Sequence, residues 1–102
     1  MPLGTQPLPR RSDRIFVRLP ITLLVDSQNE RIAQDAFTVD LSQLGVRVRT
    51  DLSLSPGQPV EIFPNRGLKY PIPSRVVWVG ETGAQQHGEA GLEFLRPLAG
   101  NA

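Results

Sequence analysis

The stretch Gly45-Val46-Arg47-Val48-Arg49 does most to limit what this chain can fold into. On an extended backbone its valines share one face and its arginines the other, the period-two pattern of a half-buried strand. On a helix the same residues would spread apolar groups around the cylinder. No other segment offers a convincing amphipathic helix of ordinary length. Instead, runs rich in Val, Ile, Leu and aromatic residues span Ile15 to Asp26, about Ile32 or Ala33 to Asp40, Val60 to Phe63, Ser74 to Val79 and Glu89 to Leu95. Between them stand turn signals: Ser27-Gln28-Asn29-Glu30, Ser55-Pro56-Gly57, Pro64-Asn65-Arg66-Gly67 and the loop from Gly80 to Gly88. Short strands punctuated in this way predict an all-β domain. Pro20 has no amide donor, which places the first strand at an edge or bulges it there. Six or so such strands indicate an antiparallel β-barrel or sandwich, and a barrel is favoured because closure removes exposed edges in so small a domain.

The 102 residues predict one domain. Residues 1–9, with Pro2, Pro7, Pro9 and Gly4, read as a flexible N-terminal arm; residues 10–96 as the barrel; residues 97–102 as a tail with at most a short helical turn. Eleven basic against ten acidic residues give a net charge of +1, which argues against DNA or RNA as a partner. The balance is uneven, since up to Val25 Arg10, Arg11, Arg14 and Arg18 stand against Asp13 alone. The chain has no cysteine, which excludes disulfides, thiolate nucleophiles and cysteine-based zinc sites. The single histidine, His87, lies in a loop sequence and reads as a surface residue, so no metal is expected. No apolar run approaches the about 18 residues of a membrane span, and prolines replace an apolar signal core, so the expected location is the cytoplasm. Scattered single carboxylates and the lack of a Gly-x-x-x-x-Gly-Lys loop argue against an enzyme. Six aromatic residues are too few to supply both a core and the stacking platforms of a single-strand RNA binder.

Two clusters carry candidate chemistry. Asp40 and Ser42 lie two positions apart, so on an extended chain they face the same way. A carboxylate accepts from parallel donors, and a hydroxyl beside it donates or accepts. That pair suits the edge of guanine, where an amino group and a ring N–H stand side by side. Gly45 then permits either a sharp turn at positive φ or the close approach of a ligand. The same residue types also make an ordinary turn between two strands. Upstream, Arg10 and Arg14 carry guanidinium forks that fit phosphate oxygens or the O6/N7 face of guanine, and that stack on flat rings. The alternative for them is a solvated basic tail. Arg11 adds a further guanidinium to the same cluster. Trp78 offers a ring either to the site or to the core.

Arg10-x-x-x-Arg14 followed by Asp40-x-Ser42-x-x-Gly45 resembles the paired signature of PilZ domains, receptors for bacterial cyclic di-GMP. Arg14 to Pro20 is similar to the family's first strand, Arg75-Val76-Val77-Trp78 to its penultimate strand and Gly91-Leu92-Glu93-Phe94 to its last, so the resemblance runs from Arg10 to Leu95. It implies a six-stranded, PilZ-like split barrel with the arginine arm folding over one end. It implies that Arg10 and Arg14 clamp the phosphates and guanine faces of cyclic di-GMP, often bound as a stacked dimer. Asp40 and Ser42 would contact a guanine while Gly45 shapes the turn, and Arg11 would be an auxiliary contact outside the strict spacing. The implied role is a non-catalytic second-messenger receptor with no cofactor besides its ligand, whose arm orders on binding and signals to a partner protein. The alternative is a nucleotide-independent PilZ-like interaction module of a motility or secretion apparatus. Two departures stand out. Leu44 occupies a position where the family often has a second glycine, and the C-terminal helix common in the family is short or missing.

Overall fold

The computed structural model describes residues 13–64, 71–81, 83–85 and 87–96. Arg10 and Arg11, the arm 1–9, the tail 97–102 and most of the turn after Pro64 lie outside the described residues. Seven strands are present: β1 (Ile15–Phe16), β2 (Pro20–Ser27), β3 (Glu30–Leu41), β4 (Gly45–Arg49), β5 (Pro59–Pro64), β6 (Ile72–Val79) and β7 (Glu89–Phe94). They run in the order β1-β3-β2-β5-β6-β7-β4, every pair antiparallel, and β3 also pairs with β4. That last pairing closes β2 to β7 into a six-stranded barrel and leaves β1 as one extra strand. The described residues contain no helix.

The extra strand comes from a break in the run that begins at Ile15. β1 and β2 lie along the same edge of β3, with Ile15 opposite Leu41, Phe16 opposite Asp40 and Pro20 opposite Phe37. Between them the ladder loosens over Val17 to Leu19. Pro20 does not interrupt a strand; it opens β2, where its missing N–H costs least. Thr38 stitches the gap. Its buried hydroxyl accepts from the Leu19 amide at 2.8 Å and donates to the Val17 carbonyl. Backbone bonds from Val17 N to Val39 O (3.2 Å) and from Thr38 N to Leu19 O (2.9 Å) complete the seam. This seam holds β1 against the end of the barrel.

The β2–β3 hairpin is tighter than the apolar pattern predicts. Gln28 and Asn29 have φ of 51° and 69°, the two positive values of a two-residue hairpin turn. Ser27 therefore pairs with Glu30, and β3 starts before its first apolar residue, Ile32. The hairpin tip is exposed, so hydrophobicity does not mark where pairing begins there.

The barrel interior is filled by aliphatic side chains, with Leu23, Val48, Val60, Val76 and Ala90 at 1% exposure or less. Each larger aliphatic buried in this way contributes roughly 1.5–3 kcal/mol. Val46 and Val48 enter this core while Arg47 and Arg49 point out, as their alternation predicts. Two bulges interrupt the alternation elsewhere. The register shifts between Thr38 and Asp40 in β3, and between Val76 and Trp78 in β6. In each strand the extra residue, Val39 or Val77, turns the next side chain to the opposite face.

Candidate functional site

The two bulges aim side chains at one place. Thr38 is opposite Val48 and faces the core, so simple alternation would send Asp40 inward too. Across the bulge Asp40 instead pairs with outward-facing Arg47. By the same shift Trp78 leaves the face of Val76 and pairs with Gly91. The registers then form one lateral row across five strands: Phe16 opposite Asp40, Asp40 opposite Arg47, Arg47 opposite Gly91, and Gly91 opposite Trp78. An aromatic residue closes each end, and an ion pair lies between. This row floors a cleft of about 610 Å³, whose walls include Arg14, Ser42, Leu44 and Glu93. The volume is in the range of small-molecule sites.

Asp40 is 2% exposed, yet it is surrounded by cations. Arg14, just before β1, donates to Oδ1, and Arg47 Nη2 lies 2.7 Å from Oδ2. Arg47 also faces Glu89 (3.7 Å), which binds Arg49 Nη2 at 2.7 Å. Three arginines thus share two buried carboxylates on the outer face of β4, an excess of one positive charge beside the cleft. A buried carboxylate of this kind is tolerated only when paired. Each Asp40 oxygen still has a lone pair uncommitted by these two contacts. Arg47 Nε is buried without a hydrogen-bond partner among the described residues.

Ser42 and Gly45 hold the β3–β4 connection. The Ser42 hydroxyl accepts from the amides of Leu44 (3.1 Å) and Gly45 (3.2 Å), and Ser42 N donates to the Gly45 carbonyl at 2.9 Å. Its lone pairs are therefore spent on the turn. Its proton is held only loosely, 3.4 Å from the Gly45 carbonyl oxygen. Gly45 does not take the positive φ that a sharp turn would require. It is needed because β7 passes close by: a Cβ there would stand 2.2 Å from the Leu92 carbonyl oxygen. Leu44 also lacks a positive φ, which explains why a second glycine is dispensable at that position.

The structure thus brings together Arg14, Asp40, Ser42, Gly45 and Trp78, all of which line the cleft. Arg10 and Arg11 lie outside the described residues. Sequence reasoning missed Phe16, Arg47 and Gly91. Arg47 was legible only as the polar half of an alternating strand, and no local pattern links it to Asp40. Among the described residues no group of three or more His, Cys, Asp or Glu side chains could hold a metal ion, and no helix is long and apolar enough to cross a membrane.

No curated protein matches the chain. Among protein families, the PilZ domain matches residues 9–101, nearly the whole chain. The chain therefore belongs to the PilZ domain family, a family of ligand-binding domains known to bind cyclic di-GMP.

Proposed function

We propose that this protein is a non-catalytic receptor for cyclic di-GMP that uses the cleft at the end of β3 and signals to a partner protein. The observation that carries the reading is the buried Asp40 carboxylate, which lines the cleft between the guanidinium groups of Arg14 and Arg47. Guanine N1–H and the N2 amino group present two parallel donors that such a carboxylate accepts. Ser42, its lone pairs already spent on the turn, serves as a donor to a ligand acceptor. Arg14 contacts Asp40 through one of its five N–H donors and is half exposed, so its remaining donors are available to a phosphate. Arg47, 28% exposed beside Asp40, brings a second guanidinium to the same cleft. Arg10 and Arg11, outside the described residues, carry further guanidinium donors for the phosphates.

Exposed apolar side chains rim the same cleft, with Phe16 at 75%, Val77 at 52% and Leu44 at 38%. They favour recognition of the liganded surface by a partner, since apolar area beside a polar site is where protein contacts gain most. They would equally serve a module that binds its partner without nucleotide.

Calorimetry with cyclic di-GMP tests the reading on the full chain and on Arg14→Ala. The wild type is expected to bind. The variant is expected to lose about tenfold or more in affinity, the worth of a charge-assisted hydrogen bond. Equal affinities would remove Arg14 from the site. A wild type that binds no cyclic di-GMP would refute the receptor reading and leave the nucleotide-independent module.

A further inference from the structure

Gly91 is a buried, outward-facing residue in the middle of the row, between Arg47 on β4 and Trp78 on β6. A Cβ at Gly91 would lie 2.1 Å from Trp78 Nε1 and 2.6 Å from both Cδ1 and Cε2. A point beyond Nε1 in the ring plane would be much farther from those two carbons than from the nitrogen. The short distances to both carbons therefore place that Cβ position over the face of the pyrrole ring. The indole lies flat over the β7 backbone, in the space a side chain would have taken. Its covered face is what buries Gly91, while Trp78 itself remains partly exposed and lines the cleft. The bulge at Val77 is the other half of the arrangement, because without it Trp78 would follow Val76 into the core.

We infer that Gly91 is a positioning residue: by lacking a side chain it seats the Trp78 indole face-up as a stacking platform for a flat heterocycle whose polar edge is held at Asp40. Phe16 closes the opposite end of the row, so the floor offers two aromatic surfaces on either side of the Asp40–Arg47 pair. A flat heterocycle carrying an anionic group matches the order of ring and charge along the row from Trp78 to Arg47. The inference rests on the cyclic di-GMP reading and assigns that site a floor.

Trp78 is the only tryptophan in the chain, so intrinsic fluorescence reports on it alone. Titration of the wild type with cyclic di-GMP should quench or shift Trp78 emission in step with the calorimetric isotherm. Gly91→Ala should shift the emission of the free protein and lower affinity at least tenfold, the worth of one base stacked on an aromatic ring. Trp78→Leu should lower affinity by a similar factor while leaving the strands paired. The double variant Trp78→Leu/Gly91→Ala should bind no worse than Trp78→Leu, since Gly91 acts only through the indole. Additive losses in the double variant would overturn the positioning role and make Gly91 a strand-geometry residue. Wild-type binding with unchanged emission would overturn the platform and leave the receptor reading standing. Absence of any wild-type binding by calorimetry would overturn the receptor reading itself. If Gly91→Ala does not fold, wild-type emission and the affinity of Trp78→Leu decide the matter.

Discussion

Replacing Ser42 by alanine separates the two duties that the structure gives this residue. In the free protein its Oγ accepts from the amides of Leu44 and Gly45. Alanine removes both acceptor contacts at once. The Gly45 donor is buried and cannot be reached by water, and leaving such a donor unpaired costs about 1–3 kcal/mol. The Leu44 donor is only partly buried, so water recovers much of its loss. The net destabilisation should be about 2 kcal/mol. For a domain of this size each kcal/mol lowers Tm by about 4–8 °C, so the expected drop is roughly 8–16 °C. Urea unfolding should show the same loss with an unchanged m-value, because the amount of surface exposed on unfolding is the same. Cyclic di-GMP affinity, measured well below Tm where the unfolded fraction is negligible, should fall by about two- to tenfold for the one neutral hydrogen bond that the hydroxyl proton would make. A variant that binds poorly but melts with the wild type would refute the reasoning. It would mean that the turn does not depend on the hydroxyl and that Ser42 serves the ligand only.

Two further perturbations probe the scaffold. Arg47→Ala deprives buried Asp40 of the partner on Oδ2 and Glu89 of one of its two arginines; chemical denaturation should show a loss of about 3 kcal/mol, as for a broken buried pair. A change below about 0.5 kcal/mol would mean that Arg14 and Arg49 suffice to compensate both carboxylates. Thr38→Val keeps the side chain's shape but removes the bonds to Leu19 N and Val17 O, so hydrogen exchange at the Leu19 amide should accelerate while amides in β6 and β7 keep their protection. Uniform acceleration across the barrel would show that the seam is part of the global fold and not a local anchor for β1.

Much of the fold can be read directly from the residues. The Val46/Arg47/Val48/Arg49 alternation specifies a strand with one buried face, and the barrel core receives both valines. The turn at Ser27 to Glu30 and the loop before Glu89 stand where Gly, Asn and Ser residues mark them. Asp40, Ser42 and Gly45 do line a common cleft. For Gly45 the reason is not the one the local pattern suggests. Its neighbour is the Leu92 carbonyl, 47 positions away in sequence, and no reading of residues 40–45 contains that strand.

The sequence by itself determined where most strands and turns fall and which residues carry charge and hydrogen-bonding groups at all. These follow from backbone sterics and from the need to bury alternate side chains, both local properties. The tertiary structure alone decided which way the decisive side chains point. Val76-Val77-Trp78-Val79 is a continuous apolar run, and strict alternation puts Trp78 in the core with Val76. A one-residue shift against β7 puts it over Gly91 at the cleft instead. The corresponding shift between β3 and β4 carries Asp40 out to Arg47. A bulge is a mismatch in count between two paired strands, and a shift of one residue reverses every face beyond it. That quantity belongs to the pair, so neither strand's residues hold it alone.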